Sequence, residues 1–162
     1  MTDNVEFVTA RLAAMWDEIT GVTRAYTNIP TTLNSTDLPA SVIFPLAVQS
    51  RTITGGAKRN VKEQRRFDMV LFVAVATLGD GTSSQIAIAP WFDTVSRHFI
   101  ARPGLELDAD NPQTQSVFDA QFQLDNGYEI INYPTGKPTP EPFAAIRFPI
   151  FVTYNYAVTM KD

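Results

Sequence analysis

The sequence contains no cysteine and a single histidine, His98, among its 162 residues. The absence of cysteine excludes disulfide bonds, thiolate nucleophiles and cysteine-ligated zinc or iron–sulfur sites. One histidine leaves almost no material for a histidine metal site or a serine–histidine catalytic pair. No stretch reaches the roughly 20 apolar residues of a membrane helix. Residues 1–20 lack a basic start followed by an apolar run, so we expect no signal peptide and no membrane association.

What the sequence does contain is typical of one globular domain. Hydrophobic residues make up 44% of the chain, which is too much for a disordered protein, and charged residues only 19%. The length predicts a single domain over 1–162. The net charge of -4 argues against a protein that coats nucleic acid. Composition therefore favours a binding or structural role over an enzyme.

The spacing of apolar residues predicts two helices and several strands. A first amphipathic stripe predicts a helix over 4–20, which Gly21 ends. A second stripe predicts a helix over 90–101, with Pro90 in its first turn; the alternative is an additional earlier turn at 84–89. Alternating apolar residues predict strands at 41–48, 66–78, 116–124, 128–133 and 144–158.

The order of these elements predicts an α+β fold. Asp125-Asn126-Gly127 is a strong hairpin signal, and it predicts antiparallel pairing of the strands on either side. The strand at 66–78 becomes apolar on both faces and is expected to be central, while Pro45 is expected at an edge or a bulge. A proline-rich link, 134–142, leads into the long last strand. We expect a mostly antiparallel sheet of about four to five strands with both helices on one face.

Charge is distributed unevenly along the chain. Residues 51–66 hold six of the 13 basic residues, with Gly55-Gly56 at the tip, and are interpreted as a long, extended basic arm between two strands rather than a tight hairpin loop. Residues 103–136 carry acidic residues and no lysine or arginine. The candidate interface residues are Arg51, Lys58, Arg59, Lys62, Arg65 and Arg66 in the arm, and Glu106, Asp108 and Asp110 in the acidic segment.

Three interpretations of this charge pattern stay open. Both segments can simply be solvated. Alternatively, the arm of one subunit meets the acidic surface of the next, in a head-to-tail contact of the kind that closes into rings. In the third interpretation the arms face a phosphate backbone. Because the arm has no aromatic residue to stack on bases, that contact would be electrostatic and independent of base sequence.

No motif for a cofactor or a metal stands out. Gly55-Gly56-Ala57-Lys58 lacks the glycine spacing and the following helix of a phosphate loop. The alternating acids Glu106, Asp108 and Asp110 lack the glycine and the closing glutamate of a calcium loop. We therefore expect no cofactor, no metal and no catalytic residue. Carboxylate pairs assembled from distant strands would leave no trace in the sequence, and they stay an alternative.

One set of weak motifs is informative through its order and spacing, which span nearly the whole chain. The set comprises an amphipathic helix ending near Gly21, Tyr26, Leu38-Pro39-Ala40 before a strand, Arg65-Arg66-Phe67 closing the arm, the apolar strand Met69 to Ala76, Trp91-Phe92-Asp93, Arg102-Pro103-Gly104-Leu105, and Phe143-Ala144-Ala145-Ile146-Arg147-Phe148 running on to Tyr154-Asn155-Tyr156. In this order the chain resembles the tail terminator (tail-completion) proteins of long-tailed bacteriophages and the related neck proteins.

The resemblance implies a structural virion protein and not an enzyme. Such proteins form a hexameric ring that caps the tail tube, stops its polymerisation and presents a surface to the head–neck connector. The implied partners are further copies of the chain, the tail tube protein, the connector protein and DNA that crosses the lumen without sequence-specific binding. The implied location is the tail–neck junction of a virion assembled in the host cytoplasm. The alternatives are a neck or head-completion protein of the same virion and, in a different class, a small carboxylate-dependent enzyme.

Overall fold

A computed structural model describes residues 4–76, 81–109, 117–125 and 127–161, which form two helices and a strongly curled, mostly antiparallel sheet. The elements are α1 (Asn4–Asp17), β1 (Arg24–Ala25), a short 3-10 helix (Ser35–Asp37), β2 (Ala40–Gly55), β3 (Lys58–Val75), α2 (Gly81–Ile100), β4 (Val117–Phe122), β5 (Tyr128–Tyr133) and β6 (Glu141–Thr159). The α+β class predicted from the sequence is confirmed.

Strand β3 lies at the centre of the sheet. The strand order is β1-β2-β3-β6-β4, and β5 pairs with β6 as well. Among the described strands, the short β1 pairs in parallel with β2, and the other pairings are antiparallel. Side chains of β3 are buried alternately on both faces, with Met69 on one face and Phe72 on the other. The expectation that this strand is central and covered on both sides is confirmed.

The larger core lies between the sheet and both helices. Trp16 of α1 is fully buried, and its ring lies 5.4 Å from that of Phe99 on α2 and 5.9 Å from that of Phe148 on β6. The indole Nε1 of Trp16 donates to the sulfur of Met69 at 3.3 Å, so the one polar atom of the ring is partnered. The helical spacing of the buried residues along α1 is why this helix could be predicted, and both helices share one face as expected.

A smaller core covers the opposite face. Leu33 of the long connection before β2 is fully buried against Phe72, whose ring lies 5.4 Å from that of Tyr133. The Tyr133 hydroxyl donates to the carbonyl of Pro30, and the Leu33 amide donates to the carbonyl of Pro134 at 2.9 Å. The connection between β1 and β2 therefore covers the second face of the sheet.

Helix α2 is longer than predicted, because Pro90 does not start it. The helix begins at Gly81, and Pro90 lies in its interior. Ile88, Val95 and Phe99 are buried at helical spacing, so the apolar stripe begins before the proline and fixes the earlier turns to the core. Neither α1 nor α2, the helices of the described ranges, is long and apolar enough to cross a membrane.

The predicted hairpin at 125–127 is wrong, because β4 and β5 do not pair with each other. Both strands pair antiparallel with β6, β4 opposite residues 150–154 and β5 opposite residues 141–146. They follow one another along the same edge, and the Gln123 amide donates to the carbonyl of Pro149 at 3.0 Å between them. Gly127 has φ +79, and its amide donates to the Asp125 side chain at 3.0 Å. Residues typical of a turn are present, but β4 and β5 run in the same direction along β6 instead of forming a hairpin.

The interpretation of residues 51–66 as a long arm is also wrong. β2 and β3 pair without interruption from Ser50–Gln64 to Gly55–Arg59, and the chain reverses tightly at Gly55-Gly56-Ala57. β6 pairs with β3 as far as Lys58–Thr159. We call this three-stranded extension (residues 50–55, 58–64 and 153–159) the ribbon. The ribbon could not be predicted from the sequence, because its third strand lies about 100 residues along the chain from the other two, and such a distant partner leaves no local pattern.

Pro45 lies where it was expected. It is next to a bulge, since the pairing of β2 with β3 shifts register between Pro45 and Val48 and again before Ser50. Proline cannot donate a ladder hydrogen bond, so a bulge in an edge strand accommodates it without leaving a neighbour unpaired.

The tight turn can be tested with neighbouring glycines. Gly55 has φ +101, and a Cβ there would lie 2.7 Å from the carbonyl oxygen of Lys58, whereas a Cβ on Gly56 would meet nothing within 4 Å. We expect Gly55→Ala to lower the free energy of unfolding by about 1–3 kcal/mol because of backbone strain. Gly56→Ala is expected to be close to neutral. Urea denaturation of both variants checks this, and equal stabilities would contradict the tight turn.

Candidate interaction surface

The two faces of the ribbon carry different chemistry. Strand register aligns three rows of side chains on one face, and successive residues alternate between the faces. The first face, here the arginine face, has the rows Arg51–Glu63–Tyr154, Ile53–Val61–Tyr156 and Gly55–Arg59–Val158. The opposite face, here the polar face, carries Ser50, Thr52, Thr54, Asn60, Lys62, Gln64, Thr153 and Asn155.

A buried carboxylate holds the base of the arginine face together. Glu63 is 4% exposed. The Tyr154 hydroxyl donates to its Oε2 at 2.7 Å, and Arg51 Nε donates to its Oε1 at 2.7 Å. Arg65 Nε donates to the Tyr154 hydroxyl at 3.3 Å. These bonds connect all three strands of the ribbon through one charged group.

The environment of Glu63 favours its ionised form. Burial alone would raise the pKa of this carboxyl, but hydrogen bonds from Tyr154 and Arg51 outweigh it, and the charges of Arg51 and Arg65 add to them. The pKa of Glu63 is therefore lowered. Arg51 is correspondingly held in a fixed position on the arginine face.

A second buried carboxylate lies on the opposite side of β3. Asp68 is 4% exposed and accepts from Arg66 Nε at 2.8 Å and from Arg147 Nη1 at 3.3 Å. Arg147 also donates to Glu129 at 3.1 Å through Nη2. Glu63 and Asp68 therefore face opposite sides of the sheet, each neutralised by arginine, and they do not form a carboxylate pair.

The six basic candidates differ in their contacts. Arg51, Arg65 and Arg66 take part in the hydrogen bonds just described, although the side chain of Arg51 stays 48% exposed. Lys62 is exposed on the polar face, where it lines an open cleft of about 310 Å³ with Gln64 and Asp119. Lys58 and Arg59 are exposed beside the turn at the ribbon tip. The tip is therefore cationic.

The acidic candidates lie in the segment after α2. Asp108 forms an ion pair with Arg102, and this hydrogen bond lowers the pKa of Asp108. The Asp108 amide donates to Glu18 Oε1 at 3.0 Å. The carboxylate of Glu106 lies over Gly104, where an added Cβ would be 2.7 Å from its Oε1. Asp110 lies outside the described residues.

Within one subunit, the described basic and acidic candidates lie apart. Asn4 and Val5, at the start of α1, line a cavity with Arg51 and Glu63. Glu18, just past the other end of α1, contacts Asp108. The 14 residues of α1 separate the two groups by about 20 Å.

His98 is also near the acidic segment. Its Nε2 lies 3.8 Å from Glu18 Oε2, and both atoms are buried without a hydrogen-bond partner. Burial lowers the pKa of His98, and the nearby charge of Arg102 lowers it further. The imidazole is therefore a neutral part of the packing between the ends of the two helices.

Glu63, Asp68 and Tyr154 were missed as candidates from the sequence. One signal was present: Glu63 alternates with Val61, Arg65 and Phe67, so it belongs to the face of β3 that becomes core. An acid in such a position requires a partner. The sequence could not show that the partners come from β2 and β6.

Comparison with known proteins adds no relative. A scan against models of protein families found no match to this chain, and a search of curated proteins found none either. The function therefore has to be argued from the surface chemistry of the ribbon and from the order of elements along the chain.

The network around Glu63 predicts a stability that depends on pH. The carboxylate binds protons more weakly in the folded than in the unfolded chain, whose glutamate pKa is about 4.3. Its contribution is complete above that value and is lost as the pH falls through the lower folded-state pKa. We expect Glu63→Gln to cost about 1–3 kcal/mol near neutral pH, and the difference from wild type to shrink in acid.

Urea denaturation at neutral pH and at several values below pH 4 measures this difference. Asp93→Asn is the matched control, because Asp93 forms an exposed ion pair with Arg97 on α2 and is expected to change stability little. If the difference between Glu63→Gln and wild type did not depend on pH, the carboxylate would not be the stabilising form.

Proposed function

We propose that this protein is a structural virion protein, a ring-forming tail terminator that caps the phage tail tube and joins it to the head–neck connector. In this role several copies form a ring, hexameric as in the family that the chain resembles, at the tail–neck junction of the virion. DNA crosses the lumen without sequence-specific contacts. The observation that carries the proposal is the ribbon, a regularly paired extension of the sheet that presents apolar and cationic side chains to solvent.

The ribbon has the properties of a contact surface. Ile53 is 51% exposed, Val158 is 46% exposed and Met160 is 51% exposed, and all three lie on or next to the arginine face. Apolar side chains that cluster in a polar surround are typical of interaction sites. The hydrogen bonds of Glu63 fix the strands beneath them, so little ordering would be required on binding.

The charge distribution supports a contact between different subunits. Lys58 and Arg59 are at the tip, whereas Glu106 and Asp108 lie beyond the far end of α1. Because these groups are too far apart to meet within one subunit, a contact between them has to join two subunits through different surfaces. Such a head-to-tail contact joins either neighbouring subunits within a ring or one ring to the next.

The cationic tip is tested by charge reversal. We expect the triple variant Lys58→Glu, Arg59→Glu and Lys62→Glu to assemble more weakly than wild type, because it replaces attraction with repulsion at the joint. The monomer is expected to stay folded, since these side chains are exposed. Light scattering at low and high salt gives the mass, and the wild-type assembly is expected to loosen with salt.

The control is a variant with the same change in net charge elsewhere. Arg24→Glu, Arg97→Glu and Lys137→Glu change three exposed cations that lie outside the ribbon. This variant is expected to assemble as wild type does. Equal assembly of the two triple variants would remove the tip from the joint.

The role itself is tested on tubes. When the tail tube protein of the same virus polymerises in the presence of this protein, we expect shorter tubes with a ring at one end. Negative-stain electron microscopy measures tube length and end density. Tubes of undiminished length with bare ends would contradict the terminator role, and binding to the head side alone would favour a neck protein.

A further inference from the structure

We infer that neighbouring subunits join by strand pairing along the ribbon, with the outer edge of β2 in one copy beside the outer edge of β6 in the next. The inference deepens the proposed function and rests on it, because it names the surfaces through which the ring closes. It follows from a difference between two parts of β2: the part nearer the core is protected against further pairing, and the part in the ribbon is not.

The part of β2 nearer the core is protected against further pairing. Pro45 and the bulge that follows interrupt its ladder. Arg65 Nη1 donates to the carbonyl of Leu46 at 2.8 Å, and Gln49 Nε2 donates to the carbonyl of Ala47 at 3.1 Å. Prolines, bulges and covered backbone groups are the devices by which proteins prevent edge strands from pairing with other chains.

The part of β2 in the ribbon has none of these devices. Residues 50–55 pair regularly with β3 and contain no proline and no bulge. Among the described residues, nothing pairs with their outer side. The segment is rich in β-branched residues, Thr52, Ile53 and Thr54, which favour extended backbone. An open, regular edge of this composition is suited to accept another strand.

Among the residues that the structure describes, the opposite edge of the ribbon is open as well. The described pairing of β4 with β6 ends at Val117–Tyr154. Beyond it, residues 155–159 pair regularly with β3, and within the described ranges they have no partner on their outer side. This edge contains no proline, no bulge and no charged side chain.

The two edges match each other in level, direction and chemistry. β2 and β6 both run antiparallel to β3, so they run in the same direction, and residues 50–55 stand level with residues 153–158. Two ribbons side by side would place Tyr156 beside Ile53 of the next copy, and Asn155 beside Thr52 of the next copy. Apolar then meets apolar and amide meets hydroxyl, with no like charges opposed.

A second copy of the chain is the occupant that satisfies both edges. Pairing of two β2 edges about a two-fold axis would leave both β6 edges open. Pairing of β2 with β6 uses one edge of each kind at every joint, so no ribbon edge remains open when the ring closes.

Engineered cysteines test this pairing, and because the chain contains no cysteine of its own, every disulfide that forms involves an engineered position. Thr52→Cys and Asn155→Cys are made as separate single variants, one with a size tag, and are mixed under mild oxidation. Within one copy these positions lie two strands apart, about 10 Å. That exceeds the roughly 7 Å between Cα atoms that a disulfide can bridge. Control mixtures pair each variant with Asp93→Cys, an exposed position on α2.

We expect the mixed 52–155 disulfide to form about 100-fold faster than disulfides in the controls at micromolar protein, because pairing raises the local thiol concentration to the millimolar range. Cross-linking of Thr52→Cys with itself at that rate would overturn the proposal in favour of a two-fold contact. A mixed disulfide no faster than the controls would also overturn it. Light scattering on the same samples shows whether a ring still forms, which separates a wrong joint from a wrong function.

Discussion

The antiparallel pairing of β3 with β6 is the interaction on which the rest of the structure depends. It runs from Lys58–Thr159 to Val75–Phe143, almost the full length of both strands. Side chains of these two strands contribute to both cores, β2 attaches to one side of the pair, and β4 and β5 attach to the other. The same pairing continues past the helices as the ribbon. The proposed contact surface is therefore an extension of the framework and not an appendage.

The parts of the fold that could be predicted are those fixed by local patterns. The helical stripe of α1 and the apolar alternation of β3 depend on residues close together in the chain. α1 begins where it was predicted and ends at Asp17, and the apolar alternation up to Val75 lies in β3, which begins earlier than predicted, at Lys58. The errors concern choices that local residues do not make. Asp125 and Gly127 are typical of a turn. The strands on either side, β4 and β5, nevertheless both pair antiparallel with the long β6 and therefore run in the same direction. The basic residues of 51–66 suggested an extended arm, although this segment consists of parts of two paired strands.

The candidate surface was predicted only in outline. The sequence showed where the charges are, but not which of them neutralise one another. Glu63 and Tyr154 are far apart in the chain, yet the Tyr154 hydroxyl donates to Glu63 at 2.7 Å. Arg51, Arg65 and Arg66 are hydrogen-bonded to groups of β3 or β6, whereas Lys58 and Arg59 are exposed at the tip.

The wide separation of β3 and β6 in the chain has a kinetic consequence. Their paired residues are roughly 70 to 100 positions apart, so the central pairing has high contact order and is expected to form slowly. The β2–β3 hairpin is local and can form first, with the β3 edge exposed until β6 arrives. During that interval β6 of another molecule can dock in its place. Folding at high concentration is therefore expected to produce strand-exchanged species, in competition with correctly completed monomers.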